Sequence, residues 1–150
     1  MAKIGIIGAG SWGIALSVLL HNNGHEITVW SILEDEINML KTEHEHKDKL
    51  PGVKLPEDMI FTTSLPEAIE GKDILVLAVP SPFTRSTSHN MKPYVADGQI
   101  IVNVAKGIEE HTLMTLSQII EEEVPQANVA VLSGPSHAEE VGRGIPTTIV

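Results

Sequence analysis

Three glycines between a short apolar run and a helix-like stretch constrain this chain more than any other feature. Residues 3–20 read KIGIIGAGSWGIALSVLL, with Gly8, Gly10 and Gly13 in a G-x-G-x-x-G spacing. The spacing predicts a strand that turns abruptly into a helix. Gly8 permits the tight turn, Gly10 removes the side chain where backbone must approach a phosphate, and Gly13 lets helix and strand pack closely. The helix start offers unpaired N–H donors and the positive end of the macrodipole, so it stabilises an anion without help from Lys or Arg. In this context the motif predicts a dinucleotide pyrophosphate site.

The remainder of the chain alternates in the same way. Apolar strand candidates fall at Lys3–Ile7, Glu26–Trp30, Met59–Thr62, Ile74–Val79, Gln99–Val104, Val129–Leu132 and Thr147–Val150. Helix candidates lie between them at Ser11–Asn22, Leu33–Glu43, Leu65–Glu70, Pro82–Lys92, Thr112–Glu123 and Ser136–Gly142. Strands such as ILVLAV are apolar throughout, as expected when helices cover both faces of a sheet. The pattern predicts one α/β domain with a doubly wound, mostly parallel sheet of the Rossmann type. At 150 residues, 42% of them hydrophobic and 20% charged, the chain can bury a substantial core.

Charge and composition narrow the partners. A formal charge of −10 disfavours general binding to nucleic acid or anionic membranes, since both need clustered Lys and Arg. No apolar run approaches the length of a membrane span. The absence of cysteine excludes disulfide and thiolate chemistry. The chain runs directly into its first strand, so no leader peptide is expected, and the expected location is cytoplasmic.

The His44–Asp58 segment, HEHKDKLPGVKLPED, reads as a long loop open to a functional role. His44 and His46 lack a third and fourth ligand at suitable spacing, so they read as a solvated helix end rather than a metal site. Trp30 is open to two readings, adenine stacking or strand core. In NAD-selective domains an acid ends the second strand and bonds the ribose 2′-hydroxyl. Here that strand ends Val29-Trp30-Ser31-Ile32, and Glu34 and Asp35 come too late. No Arg stands beside Ser31 to attract a 2′-phosphate, and the nearest candidates are Lys47 and Lys49. The sequence predicts tolerance of NAD and NADP, with NADP(H) slightly favoured.

Three polar segments follow strands four, five and six, where an open α/β sheet binds its ligands. They are VPSPFTR (Val79–Arg85), NVAKGIEEHT (Asn103–Thr112) and LSGPSHAEEVGRGIPTT (Leu132–Thr148). Lys106 lies beyond a buried strand, Gly134 allows close backbone approach, and Ser136 supplies a hydroxyl before a helix start. Together they form a niche for a small phosphorylated or carboxylated substrate. The plainer alternatives are a surface lysine at Lys106 and a simple N-cap at Ser136.

GAGSWGIAL, LPGVKLP, AVPS, KGIE and LSGPSHAEEVGRGIPTT, in this order and spacing, resemble the bacterial NAD(P)-dependent sn-glycerol-3-phosphate dehydrogenases from Lys3 to Val150. The resemblance implies interconversion of dihydroxyacetone phosphate and sn-glycerol 3-phosphate, supplying phospholipid backbones. It implies that Ser11, Trp12 and Ala138 contact the cofactor and that Lys106 sits between cofactor and substrate. Gly134 and Ser136 would contact the substrate. Family members often carry Arg where this chain has Ile32, which leaves Lys49 as a substitute for holding the 2′-phosphate. The family's catalytic base is a lysine in a C-terminal helical domain, so no catalytic base is expected within residues 1–150. The chain is expected to be the cofactor-binding half of a longer protein, with a homodimer as the full-length form. Two other readings stay open: a dehydrogenase of similar plan acting on a hydroxy acid, and a regulatory domain that senses NAD(H) without reaction.

Overall fold

The computed structural model describes residues 1–150. Six strands run in one sheet: β1 (Lys3–Ile7), β2 (Glu26–Trp30), β3 (Ile60–Thr62), β4 (Ile74–Leu77), β5 (Ile100–Asn103) and β6 (Asn128–Val131). Their spatial order is β3-β2-β1-β4-β5-β6, and every pairing is parallel. The chain order reverses between β1 and β4, and that reversal opens a crevice at the carboxyl ends of the strands. The expected doubly wound sheet is therefore present, and it is parallel throughout.

Period-two alternation sends neighbouring residues to opposite faces. Ile4 and Ile6 of β1 pack with Ile14, Ala15 and Val18 of helix α1 (Ser11–Asn22) and with Ile37 and Leu40 of α2 (Glu34–Glu43). Ile7, Leu75 and Leu77 face the other way, onto α3 (Leu65–Ile69), α4 (Thr84–Met91) and α5 (Leu116–Glu123). A short α6 (Ala138–Gly142) returns to the first face and packs on α1. Each face thus buries an apolar layer against helices, which explains the uninterrupted apolar strands. No helix is long and apolar enough to cross a membrane.

Four of the expected elements need correction. The fifth helix starts at Leu116 rather than Thr112, because Thr115 forms a capping box with Gln118 and Leu113 takes φ +59 in the turn before it. The fourth helical stretch is divided: 3-10 turns at Ser81–Phe83 and Lys92–Tyr94, each with a proline in its first turn, flank α4. The last helix is only five residues long and begins at Ala138, not Ser136. Thr147–Val150 is not a strand; Ser133 and Val150 exchange one pair of backbone hydrogen bonds, at 3.1 and 2.7 Å, and the ladder goes no further.

The His44–Asp58 segment is ordered by the core. Leu50, Val53 and Leu55 are buried in the α1 layer, and His21 bonds Asp58 at 2.8 Å to fix the far end. Its histidines are not a solvated helix end. His46 is 2% exposed, and His44 ends α2 in the left-handed conformation with φ 49.

Candidate functional site

A cleft of about 1190 Å³ runs along the carboxyl ends of β1, β2, β4 and β5. Gly8, Gly10, Ser11 and Trp12 line it from the β1–α1 turn. Gly8 has φ +120, and a Cβ there would stand 2.8 Å from the Ala78 carbonyl carbon. Gly13 lies behind the cleft surface, where a Cβ would collide with the Gly8 carbonyl oxygen, so its role is to let α1 approach the turn. Gly10 differs from both. A Cβ on Gly10 meets no atom within 4 Å. The space a side chain would fill there is the cleft itself.

Gly10 is also the N-cap of α1, with no side chain to bond the first-turn N–H groups. A helix of this length leaves its first N–H donors without internal partners and aims its positive end outward. The turn thus combines free backbone donors, a missing side chain and open volume. That combination fits the pyrophosphate of a dinucleotide.

Both tryptophans of the chain border the cleft. Trp12 is half-buried and packs on the core as well. Trp30 is 6% exposed, and its indole N–H donates to the Thr63 carbonyl at 3.0 Å. Trp30 is therefore strand core, with one edge toward the cleft.

At the opposite end, Lys106, Ser136 and Ala138 line the same cleft. The exposed Lys106 ammonium donates to the Gly134 carbonyl at 3.0 Å, which ties the loop after β5 to the loop after β6. Gly134 itself, at φ +139, faces the last residues: a Cβ there would sit 2.9 Å from the Thr148 carbonyl oxygen. Ser136 is not an N-cap; His137 occupies that position, without a side-chain bond. With a single-turn helix behind it, the segment has little macrodipole to offer an anion, and Lys106 is the lysine that lines this end of the cleft.

The Lys106 loop is braced from below. Arg85, in the first turn of α4, grips Glu109 with two bonds of 2.7 and 2.8 Å and Glu123 with one of 2.8 Å. The Arg85 guanidinium, helped by the Thr112 hydroxyl, brings the Glu109 carboxyl down to about 2.

Lys49 lines the cleft at its β2 end, as expected for a group near the adenosine half, but its ammonium is 2.6 Å from Oε1 of Glu36. Sequence reasoning missed Glu36. It is the third residue of α2, and the first turn carries it back under the β2 tip, where its side chain is 8% exposed. Burial favours the neutral acid, but bonds from His46, Lys49 and Ser31 outweigh it and hold the carboxyl below its ordinary range. The available signal was the i, i+5 spacing from Ser31 across a strand-to-helix turn.

Residues 3–150 match the family model described as "NAD-dependent glycerol-3-phosphate dehydrogenase N-terminus". The chain is 66% identical over 150 residues to a glycerol-3-phosphate dehydrogenase [NAD(P)+] of Agathobacter rectalis, covering all of this chain and 45% of that protein. A protein of the same name from Fusobacterium nucleatum is 59% identical over 152 residues, again across 100% of this chain and 45% of its own length. Among solved structures, a glycerol-3-phosphate dehydrogenase from Coxiella burnetii superposes with a TM-score of 0.92 at 31% identity, covering 99% of this chain and 45% of that one. The chain spans a little under half the length of these relatives.

Proposed function

Because the chain belongs to the NAD-dependent glycerol-3-phosphate dehydrogenase N-terminal family, we propose that it is the cofactor-binding half of an oxidoreductase interconverting sn-glycerol 3-phosphate and dihydroxyacetone phosphate. The observation that carries this reading is the continuity of one cleft. The glycine turn lies at one side of it, and the Lys106–Gly134 bond joins two polar loops at the other.

Each residue's part follows from its chemistry. The first-turn N–H groups of α1, from Ser11 onward, bind the pyrophosphate, and bare Gly10 lets it approach. Gly8 and Gly13 hold that turn in shape, while Trp12 and Ala138 border the dinucleotide. When bound, the nicotinamide supplies or accepts a hydride at substrate C2. Lys106 holds the negative charge that develops on the C2 oxygen during carbonyl reduction. Ser136 and the Gly134 segment orient the substrate beside it. The proton on that oxygen is exchanged with a base lysine in a second, helical domain beyond residue 150. A neighbouring cation, such as Lys106, depresses the pKa of such a lysine and suits it to the task.

Both NAD(H) and NADP(H) serve as cofactor, with NADP(H) slightly favoured and Lys49 as the cation near the 2′ position. The location is cytoplasmic, the full-length form is a homodimer, and the product feeds glycerophospholipid synthesis. The test follows NAD(P)H oxidation by the full-length gene product with dihydroxyacetone phosphate. Turnover is expected; a folded, cofactor-binding protein without turnover rejects the reading. Residues 1–150 alone are expected to bind cofactor with negligible turnover, and substantial catalysis by them refutes the two-domain mechanism.

A further inference from the structure

The carboxylate of Glu36 is surrounded by donors. Ser31 Oγ donates to Oε2 at 2.5 Å, and Lys49 Nζ donates to Oε1 at 2.6 Å. His46 Nδ1 accepts from the Lys49 backbone N–H at 3.2 Å, which leaves Nε2 as the protonated nitrogen donating to Oε1 at 2.7 Å. Ser31 Oγ in turn accepts from the Leu33 N–H at 3.1 Å, so its single proton is committed to Glu36.

This cluster stands where an incoming nucleotide would need to find charge. Ser31, Glu36 and Lys49 all line the cleft at the β2 tip, beside an Ile32 that is 75% exposed. Lys49 and Lys106 are the cleft's two lining cations, and Lys106 belongs to the far loops. The other lysines of the Lys49 loop are already paired: Lys47 with Glu43 at 2.9 Å and Lys54 with Glu45 at 2.8 Å. At the β2 tip, the formal charges of Lys49 and Glu36 cancel.

A 2′-phosphate and a 2′-hydroxyl meet this arrangement differently. A phosphate requires a free cation and free donors. To provide the cation, Lys49 must leave a buried carboxylate, which then faces the incoming anion at close range. Ser31 has no proton to spare. A neutral hydroxyl imposes neither cost and adds one more donor to the same acid.

We propose that Glu36 is a specificity-determining residue of this cleft. By holding Lys49, with Ser31 and His46 fixing its orientation, it lowers affinity for a 2′-phosphorylated dinucleotide relative to the 2′-hydroxyl form. The acid is supplied by the first turn of α2 instead of the end of β2. The proposal rests on the reading of the cleft as a dinucleotide site.

The test measures dissociation constants of NADH and NADPH on the full-length gene product and its variants. For Glu36→Gln the NADPH-to-NADH affinity ratio is expected to rise at least tenfold, through tighter NADPH binding. A purely structural role would weaken both cofactors alike and leave the ratio unchanged. An unchanged ratio in a variant that binds both cofactors overturns the proposal. Where the single variant does not fold, Lys49→Met and the charge-balanced double variant E36Q/K49M carry the same question. Lys49→Met should lower the ratio at least tenfold, and the double variant should return it to within threefold of the parent. A double variant that behaves like Lys49→Met overturns the proposal. Failure of the parent protein to bind either cofactor rejects the cleft assignment itself, a separate result.

Discussion

Lys106 and Gly134 are 28 positions apart, yet the lysine ammonium donates to the glycine carbonyl at 3.0 Å and joins the loops after β5 and β6. Lys106 is exposed and outside the core, so its loss should leave the fold intact. For Lys106→Met we expect kcat of the full-length gene product to fall by roughly 10²–10³, the usual loss for a group that holds developing charge. Cofactor affinity should stay within about threefold, since charge on the C2 oxygen develops only during reaction. Steady-state kinetics with a parallel cofactor titration separates the two effects.

The three motif glycines should respond differently to alanine. At Gly13 the added methyl collides with the Gly8 carbonyl, and at Gly8 it adds strain at φ +120 and contact with Ala78. Each of those variants should lose about 1–3 kcal/mol of stability or more. Gly10→Ala meets no protein atom and loses only the preference for glycine over alanine at an N-cap, so stability should change by no more than about 1 kcal/mol. Its dinucleotide affinity should nonetheless fall at least tenfold, by roughly 1.4 kcal/mol. Thermal unfolding and a binding titration, run side by side, check the contrast.

Acid should act on the Arg85–Glu109 brace in a defined window. The Glu109 carboxyl is brought down to about 2 in the folded protein by Arg85 and Thr112, against about 4.3 for an unfolded chain. A depressed acid contributes stability above its unfolded value and loses it as pH falls toward its folded value. Wild-type stability should therefore decline progressively between about pH 4.3 and about 2, and Glu109→Gln should remove that share of the decline. Because the pair is solvent-accessible, added salt should shrink the difference. Urea unfolding at stepped pH, with and without salt, measures both.

Much of the fold was legible because its punctuation is chemical. β1, α1 and β2 fall on the expected residues, since an apolar run, a glycine turn and an Ala/Leu-rich stretch leave little choice. Boundaries failed where local side-chain bonds decided them. The Thr115–Gln118 capping box delays α5, and a single pair of backbone hydrogen bonds between Ser133 and Val150 stands where a strand was expected. In the cleft, Gly8 and Gly10 were readable from the turn, Ser11 and Trp12 through the family resemblance, and Lys106 and Ser136 from their places after β5 and β6. Glu36 and His46 were not. Glu36 directly follows Glu34 and Asp35 at the start of α2, the two acids that read as coming too late to meet a ribose. His46 lies in a charged loop whose buried Leu50, Val53 and Leu55 are too sparse to reveal that the segment folds inward.

The central claim is that one cleft takes a nicotinamide dinucleotide against the Gly8–Trp12 turn. Trp12 and Trp30, the chain's two tryptophans, both border that cleft and make it self-reporting. The most direct measurement titrates NADH and NADPH into the full-length gene product while following tryptophan emission, with Gly10→Val as the comparison. The account predicts saturable quenching in the parent protein and at least tenfold weaker binding in the variant, with unfolding temperatures within about 4 °C of each other. Absence of quenching by either cofactor, or a Gly10→Val protein that binds as tightly as its parent, would contradict it.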